Sequence, residues 1–288
     1  MLRNFAYIPK TRSSSHRVAG LERQNGVTLV ELMVGIVIGM LVVAVAVAAV
    51  LASRGATTTV SEAAQLQQQA SYAFRVLGQQ IRQAGSLELN LDSEGNQGTS
   101  NALSANSKVA FLVDYSQWGE IVNGVDAPSN TQFALGVGYQ NYAERLVDNS
   151  IVSQFRDCLG AGGAAAGAVP PRVINQFSVR NGRLVCSGIA GQAQAIIQNV
   201  ADFQVRYYVQ GGAATGNPTI MRVQASGVTN WADVVAVEVC LDMVGSNTVG
   251  VPATSQYRNC QDVNAPYNNR IHHVYRNVFQ LRSQGVLG

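Results

Sequence analysis

Gly26-Val27-Thr28-Leu29-Val30-Glu31 opens an apolar run that continues to Ala52. From Leu32 to Ala52 there are 21 residues without a charge. At about 1.5 Å of rise per residue, such a run crosses the roughly 30 Å hydrocarbon core of a bilayer as one helix. The carboxylate of Glu31 stands at the edge of that span, where an ionised side chain is costly and calls for a partner or a function. Before it, Arg3, Lys10, Arg12, Arg17 and Arg23 face only Glu22. By the positive-inside rule this excess keeps residues 1–26 in the cytoplasm and places everything after the span on the other side.

The whole chain has 288 residues and a formal charge of +3, of which residues 1–26 carry +4 and the remainder −1. The basic balance is therefore an orientation signal, and the rest has no positive excess of the kind that nucleic acid selects. Charged residues are 13% of the chain, about half the usual share of roughly 25%. The region after the span is instead rich in Gly, Ala, Ser, Asn and Gln, which suits a secreted polar surface. Four segments are expected: 1–26 a leader, 27–52 a transmembrane helix, 53–86 an amphipathic continuation of it, and 87–288 a β-rich head.

The continuation is read from Val60, Ala63, Ala64, Leu66, Ala70, Ala73, Phe74, Leu77 and Ile81, whose steps of mostly three and four make one apolar stripe. Gly55 and Thr57-Thr58-Thr59 predict a local kink or partial unwinding. Gly85 is a helix stop, with Arg82 complementing the dipole. Beyond it short apolar runs alternate with turn residues. Asn90–Asn106 and Gly160–Pro171 read as loops. Strands are expected at Val109–Tyr115, Phe133–Tyr139 and Val234–Val244, and from Arg276 to Arg282. A further strand is expected from Ile196 through Val200 into Phe203–Val209. Val173–Val179 and Arg183–Cys186 flank Asn181-Gly182, a strong hairpin turn signal. The fold class is α+β: a long N-terminal hydrophobic helix packed on a mainly antiparallel β-sheet head.

Cys158, Cys186, Cys240 and Cys260 all follow the span, on the oxidising side, and an even count there reads as two disulfides. Three connectivities are open. The sequential one, Cys158–Cys186 and Cys240–Cys260, is favoured because each bridge then closes a short loop. Without a CxxC pair, the spacing fits no common zinc finger.

The stretch around Gly26 resembles the class III signal of type IV prepilins: a basic leader, then Gly, an apolar residue, Ser or Thr, Leu, an apolar residue, Glu and a long apolar helix. It departs from most members only in having Val27 where they have Phe. The resemblance implies cleavage between Gly26 and Val27 by a prepilin peptidase, with N-methylation of the new amine. That amine would lie about one helical turn from Glu31. Within one chain or between staggered chains, the two charges could neutralise each other in lipid.

Later blocks resemble PilW-type minor pilins. They are Phe74–Gly85, Cys158-Leu159-Gly160, the Asn-Gly hairpin ending at Cys186, Val200–Val205, Val237–Leu241 and Val278–Arg282. The resemblance implies a low-abundance subunit that helps prime type IV pilus assembly and sits at the pilus tip. Other minor pilins and a PilY-type tip adhesin are the implied partners. The implied location is the inner membrane, with the head in the periplasm, and then the extracellular pilus, which serves cell adhesion and twitching motility. A J-like pseudopilin of type II secretion shares the signal and helix, but the cysteine pattern and the late blocks favour PilW. A pilus-displayed adhesin or DNA-binding module is a third reading; the near-neutral mature charge argues against DNA.

No catalytic constellation is evident, and neither an enzyme nor a cofactor is expected. Gly160–Ala165 matches the letters of a dinucleotide fingerprint, but Pro170-Pro171 break any following helix and no acidic residue stands near position 185. His272 and His273 point apart on a strand and lack a third ligand. No Gly-x-Ser-x-Gly elbow occurs. Asp92-Ser93-Glu94-Gly95-Asn96 resembles a calcium loop with its glycine misplaced and its distal glutamate missing.

Overall fold

The computed structural model describes residues 26–86, 89–90, 110–111, 121–140, 143–148, 151–153, 155–162, 172–212 and 216–281. Outside these fall the leader before Gly26, most of Asn90–Asn106 with its calcium-like stretch, and most of the strand expected at Val109–Tyr115. The loop after Gly162 and Arg282 fall outside them too. The chain divides into two compact units, Met1–Gly55 and Ala56–Gly288.

Helix α1 spans Leu29–Gln83, 55 residues. In the first unit its large apolar side chains, among them Leu32, Ile36, Leu41, Val45 and Leu51, are exposed all round. A helix apolar on every side is built for lipid or for close neighbours rather than for water, and this one is long and apolar enough to cross a membrane. The expected unwinding at Gly55 and Thr57–Thr59 does not occur, since the helix is continuous there. One glycine costs about 1 kcal/mol and each threonine less, which a long helix tolerates.

In the second unit the buried side of α1 is Glu62, Leu66, Ala70, Ala73, Leu77, Gln80 and Ile81, followed by buried Ala84. Val60 and Ala64, expected on that side, are exposed. Counting back by 3.6 from Leu66 and Ala70 reaches position 62, so Glu62 takes the place on the buried face. After Gln83 the chain leaves the helix through Gly85, whose φ of 70° is the left-handed conformation glycine adopts freely. The chain is then hooked to a sheet, because Gly85 donates to Gly138 O at 2.8 Å and Ser86 O accepts from Gln140 at 2.9 Å.

Among the described residues every strand pairing is antiparallel. A small pair, β1 (Leu89–Asn90) with β2 (Ala110–Phe111), follows the helix. The first large sheet contains β3 (Val122–Asn123) and β4 (Leu135–Gln140); β5 (Ala143–Arg145) and β6 (Ile151–Ser153) pair separately. It continues with β7 (Arg172–Arg180), β8 (Arg183–Ser187) and β9 (Ala193–Gln198), in the order β3-β4-β7-β8-β9. Asn181 and Gly182, both at positive φ, make the expected hairpin turn between β7 and β8.

The second large sheet has the order β11-β10-β12-β15. Its members are β10 (Val200–Gly211), β11 (Thr219–Val223), β12 (Val234–Thr248) and β15 (Arg270–Gln280). A hairpin of β13 (Gln256–Arg258) and β14 (Asn264–Pro266) completes the fold. The strand expected to run from Ile196 into Phe203–Val209 is in fact two, because Asn199 sits at φ 64° and turns the chain from one sheet into the other. The last strand starts earlier than expected, at Arg270.

Both large sheets meet on α1 in one core. Phe177, Leu184 and Ile197 come from the first, and Val205, Tyr207, Val237, Val239, Leu241 and Phe279 from the second. Gly78 lets the helix and a sheet pack tightly. A Cβ there would lie 2.5 Å from Cε1 of Phe279, itself 5% exposed. Gly78→Ala should therefore destabilise the head by about 1–3 kcal/mol through overpacking, although alanine is the better helix former by about 1 kcal/mol. Denaturant titration of the detergent-solubilised protein checks this; a stabilised variant would show that the ring yields freely.

Candidate functional site

The N-terminal site is local to the first turn of α1. Thr28 precedes the helix and its Oγ1 accepts from the backbone N–H of Glu31 at 3.3 Å. Thr28-Leu29-Val30-Glu31 thus carries the spacing of a capping box, in which an N-cap threonine serves the third helical residue. The carboxylate of Glu31 also lies where the positive end of the helix dipole favours it. Gly26 and Val27 are exposed ahead of the helix. These residues are close in sequence and belong to the first unit, whereas all four cysteines belong to the second.

In the second unit a carboxylate ties the helix to a sheet end. The register of β12 against β15 breaks between Val244 and Thr248, and the irregular stretch turns its amides towards α1. Glu62 Oε1 accepts from Ser246 N, from Ser246 Oγ at 2.9 Å and from Asn247 N at 2.9 Å. A Cβ at Gly245 would lie 2.9 Å from Oε2 of Glu62, so glycine there admits the side chain. Burial pushes the Glu62 carboxyl up, but the Ser246 and Asn247 donors prevail and hold it below the ordinary value.

The other end of the buried helix is fastened by neutral groups. Gln80 Nε2 donates to Arg156 O at 3.1 Å, and Gln80 Oε1 accepts from Asn175 Nδ2 at 3.0 Å. Asn175 Oδ1 in turn accepts from the backbone N–H of Cys158 at 2.9 Å. Tyr139 OH donates to Arg156 O at 3.1 Å, and burial pushes that phenol up to about 12, so it stays a donor. Beside them Asp157 accepts from the amides of Leu159, Ala161 and Ile189. Cys158 is bonded to Cys186 across this loop. Gly160, read in the sequence as part of a loop, lies in the same turn at φ 86°.

Cys240 of β12 is bonded to Cys260 in the β13–β14 hairpin. Arginines of the sheet hold the same hairpin. Asp262 takes Arg276 Nη1 at 2.5 Å and Arg222 Nη1 at 3.4 Å, and Arg276 Nη2 donates to Asn259 O at 2.6 Å. Arg222 also grips Glu238 with two nitrogens, at 2.8 and 2.5 Å. His272 Nδ1 lies 3.0 Å from Asp242 Oδ1, and its ring stacks on Tyr257. Among the described residues no group of three His, Cys, Asp or Glu side chains is placed to hold a metal ion. The buried ties described here fasten elements to one another.

Sequence reasoning missed Glu62, Gln80–Asn175 and the Asp262 cluster. Glu62 left a usable signal, a charge in phase with Leu66 and Ala70. The other two rest on partners distant in sequence, and nothing local marks them.

Comparison with known proteins agrees with the N-terminal signal and with the late blocks from the Asn-Gly hairpin onward. Residues 173–283 match the family described as Type IV Pilus-assembly protein W, and residues 22–52 match the prokaryotic N-terminal methylation motif. Among solved structures, a type IV-like pilin of Thermus thermophilus aligns with 11% identity and a TM-score of 0.39, over 77% of this chain and 99% of that one. No curated protein is significantly similar in sequence.

Two outcomes are expected of the head. Glu62 has a lowered pKa, so the stability it contributes is complete above the ordinary carboxylate value of 4.5 and is lost as pH falls through its lower folded value. Thermal melts taken from neutral pH towards about 3 should show Glu62→Gln losing less stability than the parent; equal acid slopes would contradict this. Replacing both Cys240 and Cys260 by serine should lower unfolding free energy by roughly 2–5 kcal/mol, read by denaturant titration against the parent.

Proposed function

We propose that this PilW-like chain with a prepilin N-terminus is a minor pilin. It is cut between Gly26 and Val27 by a prepilin peptidase, methylated on the new amine, and held in the inner membrane by residues 27–52. Residues 53–86 continue the helix into the head, which faces the periplasm. With other minor pilins and a PilY-type adhesin it primes type IV pilus assembly and comes to sit at the tip. The observation that carries this reading is the pairing of a run without charge from Leu32 to Ala52, preceded by Glu31 in the first turn of α1, with a head that matches PilW over 173–283. The same match favours the pilus over the secretion-system alternative.

In this reading Glu31 answers the positive amine of Val27 when helices bundle away from water. Leaving one charge of such a pair unmatched is worse by roughly 3–5 kcal/mol than keeping both. A competing role is local, since Glu31 holds the third helical position of the capping-box spacing begun by Thr28. Glutamine serves a capping box as glutamate does, so Glu31→Gln keeps the cap and removes the charge. We expect Glu31→Ala and Glu31→Gln alike to be cleaved and inserted, because losing a charge eases insertion, yet to restore few pili in a strain lacking the native copy. Processing is followed by mass shift and pili are counted by electron microscopy. Wild-type piliation by correctly cleaved Glu31→Gln would overturn the role of the charge.

A further inference from the structure

Among the described residues strand β9 is the outer strand of its sheet and pairs only with β8. Outer strands present unpaired backbone donors and acceptors, and proteins usually blunt them with charges, proline or a covering element. Ala193-Gln194-Ala195-Ile196-Ile197-Gln198 has no charge and no proline, and its first three residues are exposed. Alongside it the exposed side of α1 forms the opposite wall of an open groove, with Gln69, Tyr72 and Arg75 facing Arg183, Ile196 and Gln198. The backbone N–H of Gln198 already points out of the sheet and donates to Gln69 Oε1 at 3.2 Å. That is one side-chain contact, which an incoming carbonyl could replace.

The charge of this groove is one-sided. Among the described residues Arg75 and Arg183 are its only ionised lining side chains, both are exposed, and neither has a carboxylate partner there. The guanidinium of Arg75 lies 5.3 Å from the centre of the Tyr72 ring. By contrast, Arg222 and Arg276 are occupied by Glu238 and Asp262.

We propose that the groove between α1 and β9 receives an extended, acidic segment of another subunit. The segment adds a strand to β9 through main-chain hydrogen bonds and sets carboxylates against Arg75 and Arg183. The inference rests on the proposed function in one respect only, that the partner is a subunit of the same assembly.

The test places a photo-crosslinking amino acid at Gln194 of the full-length chain in its native cells, with a control at exposed Val263 on the other hairpin. Mass spectrometry identifies the joined peptide. The expected result is an adduct from Gln194, absent from Val263, with a strand-forming segment of another pilus subunit that contains Asp or Glu. Reversing both Arg75 and Arg183 to glutamate should cut its yield about tenfold, and replacing both by glutamine should cut it less. Both sites are exposed, so these changes leave the core intact. No adduct, an adduct with lipid or with a neutral or basic segment, or a yield indifferent to charge reversal would each overturn the inference. Piliation scored on the same cells reports on the proposed role separately.

Discussion

Leu66, Ala70, Ala73, Leu77 and Ile81 climb one side of α1, each 1% exposed or less, and the strands of both large sheets close on them. Small Ala70 and Ala73 lie between branched Leu66 and Leu77, and Gly78 makes room for the ring of Phe279. Two buried polar ties flank this seam. Glu62 is held by the irregular end of β12, and Gln80 is held through Asn175 and Arg156. Apolar burial supplies most of the driving force, while the ties fix where along the helix each sheet sits. A buried polar group left without its partner costs about 1–3 kcal/mol, so a slip of one helical turn would be penalised at both ends.

The helix has a different character in each compact unit. From Val60 onward it has a polar side and a buried side. Before Ser53 it has neither, and large apolar side chains lie exposed around its circumference. Such a surface is stable in lipid, or among other helices of its own kind. The first turn combines a cap from Thr28 with a carboxylate at Glu31. A free amine at Val27 would add a charge of the opposite sign within the same turn.

Long-period signals were legible in the sequence. The apolar run after Glu31, the helix stop at Gly85, the Asn181-Gly182 hairpin and the central strand beginning at Val234 all follow from local chemistry. The division of β9 from β10 did not, because a single Asn199 at positive φ separates two runs that read as one. The buried position of Glu62 depends on the glycine at 245 and the amides after it, nearly two hundred residues on. The Asp262 cluster likewise joins residues from three strands and a hairpin turn. Interactions within one turn or one hairpin leave a local pattern; those that cross the core do not.

The account turns on whether the amine next to Glu31 exists. Intact-mass measurement of the protein purified from membranes tests that most directly. The account expects a chain that lacks residues 1–26, begins at Val27 and is one methyl group heavier than its sequence. A chain that retains the leader, or begins at any other residue, would contradict it.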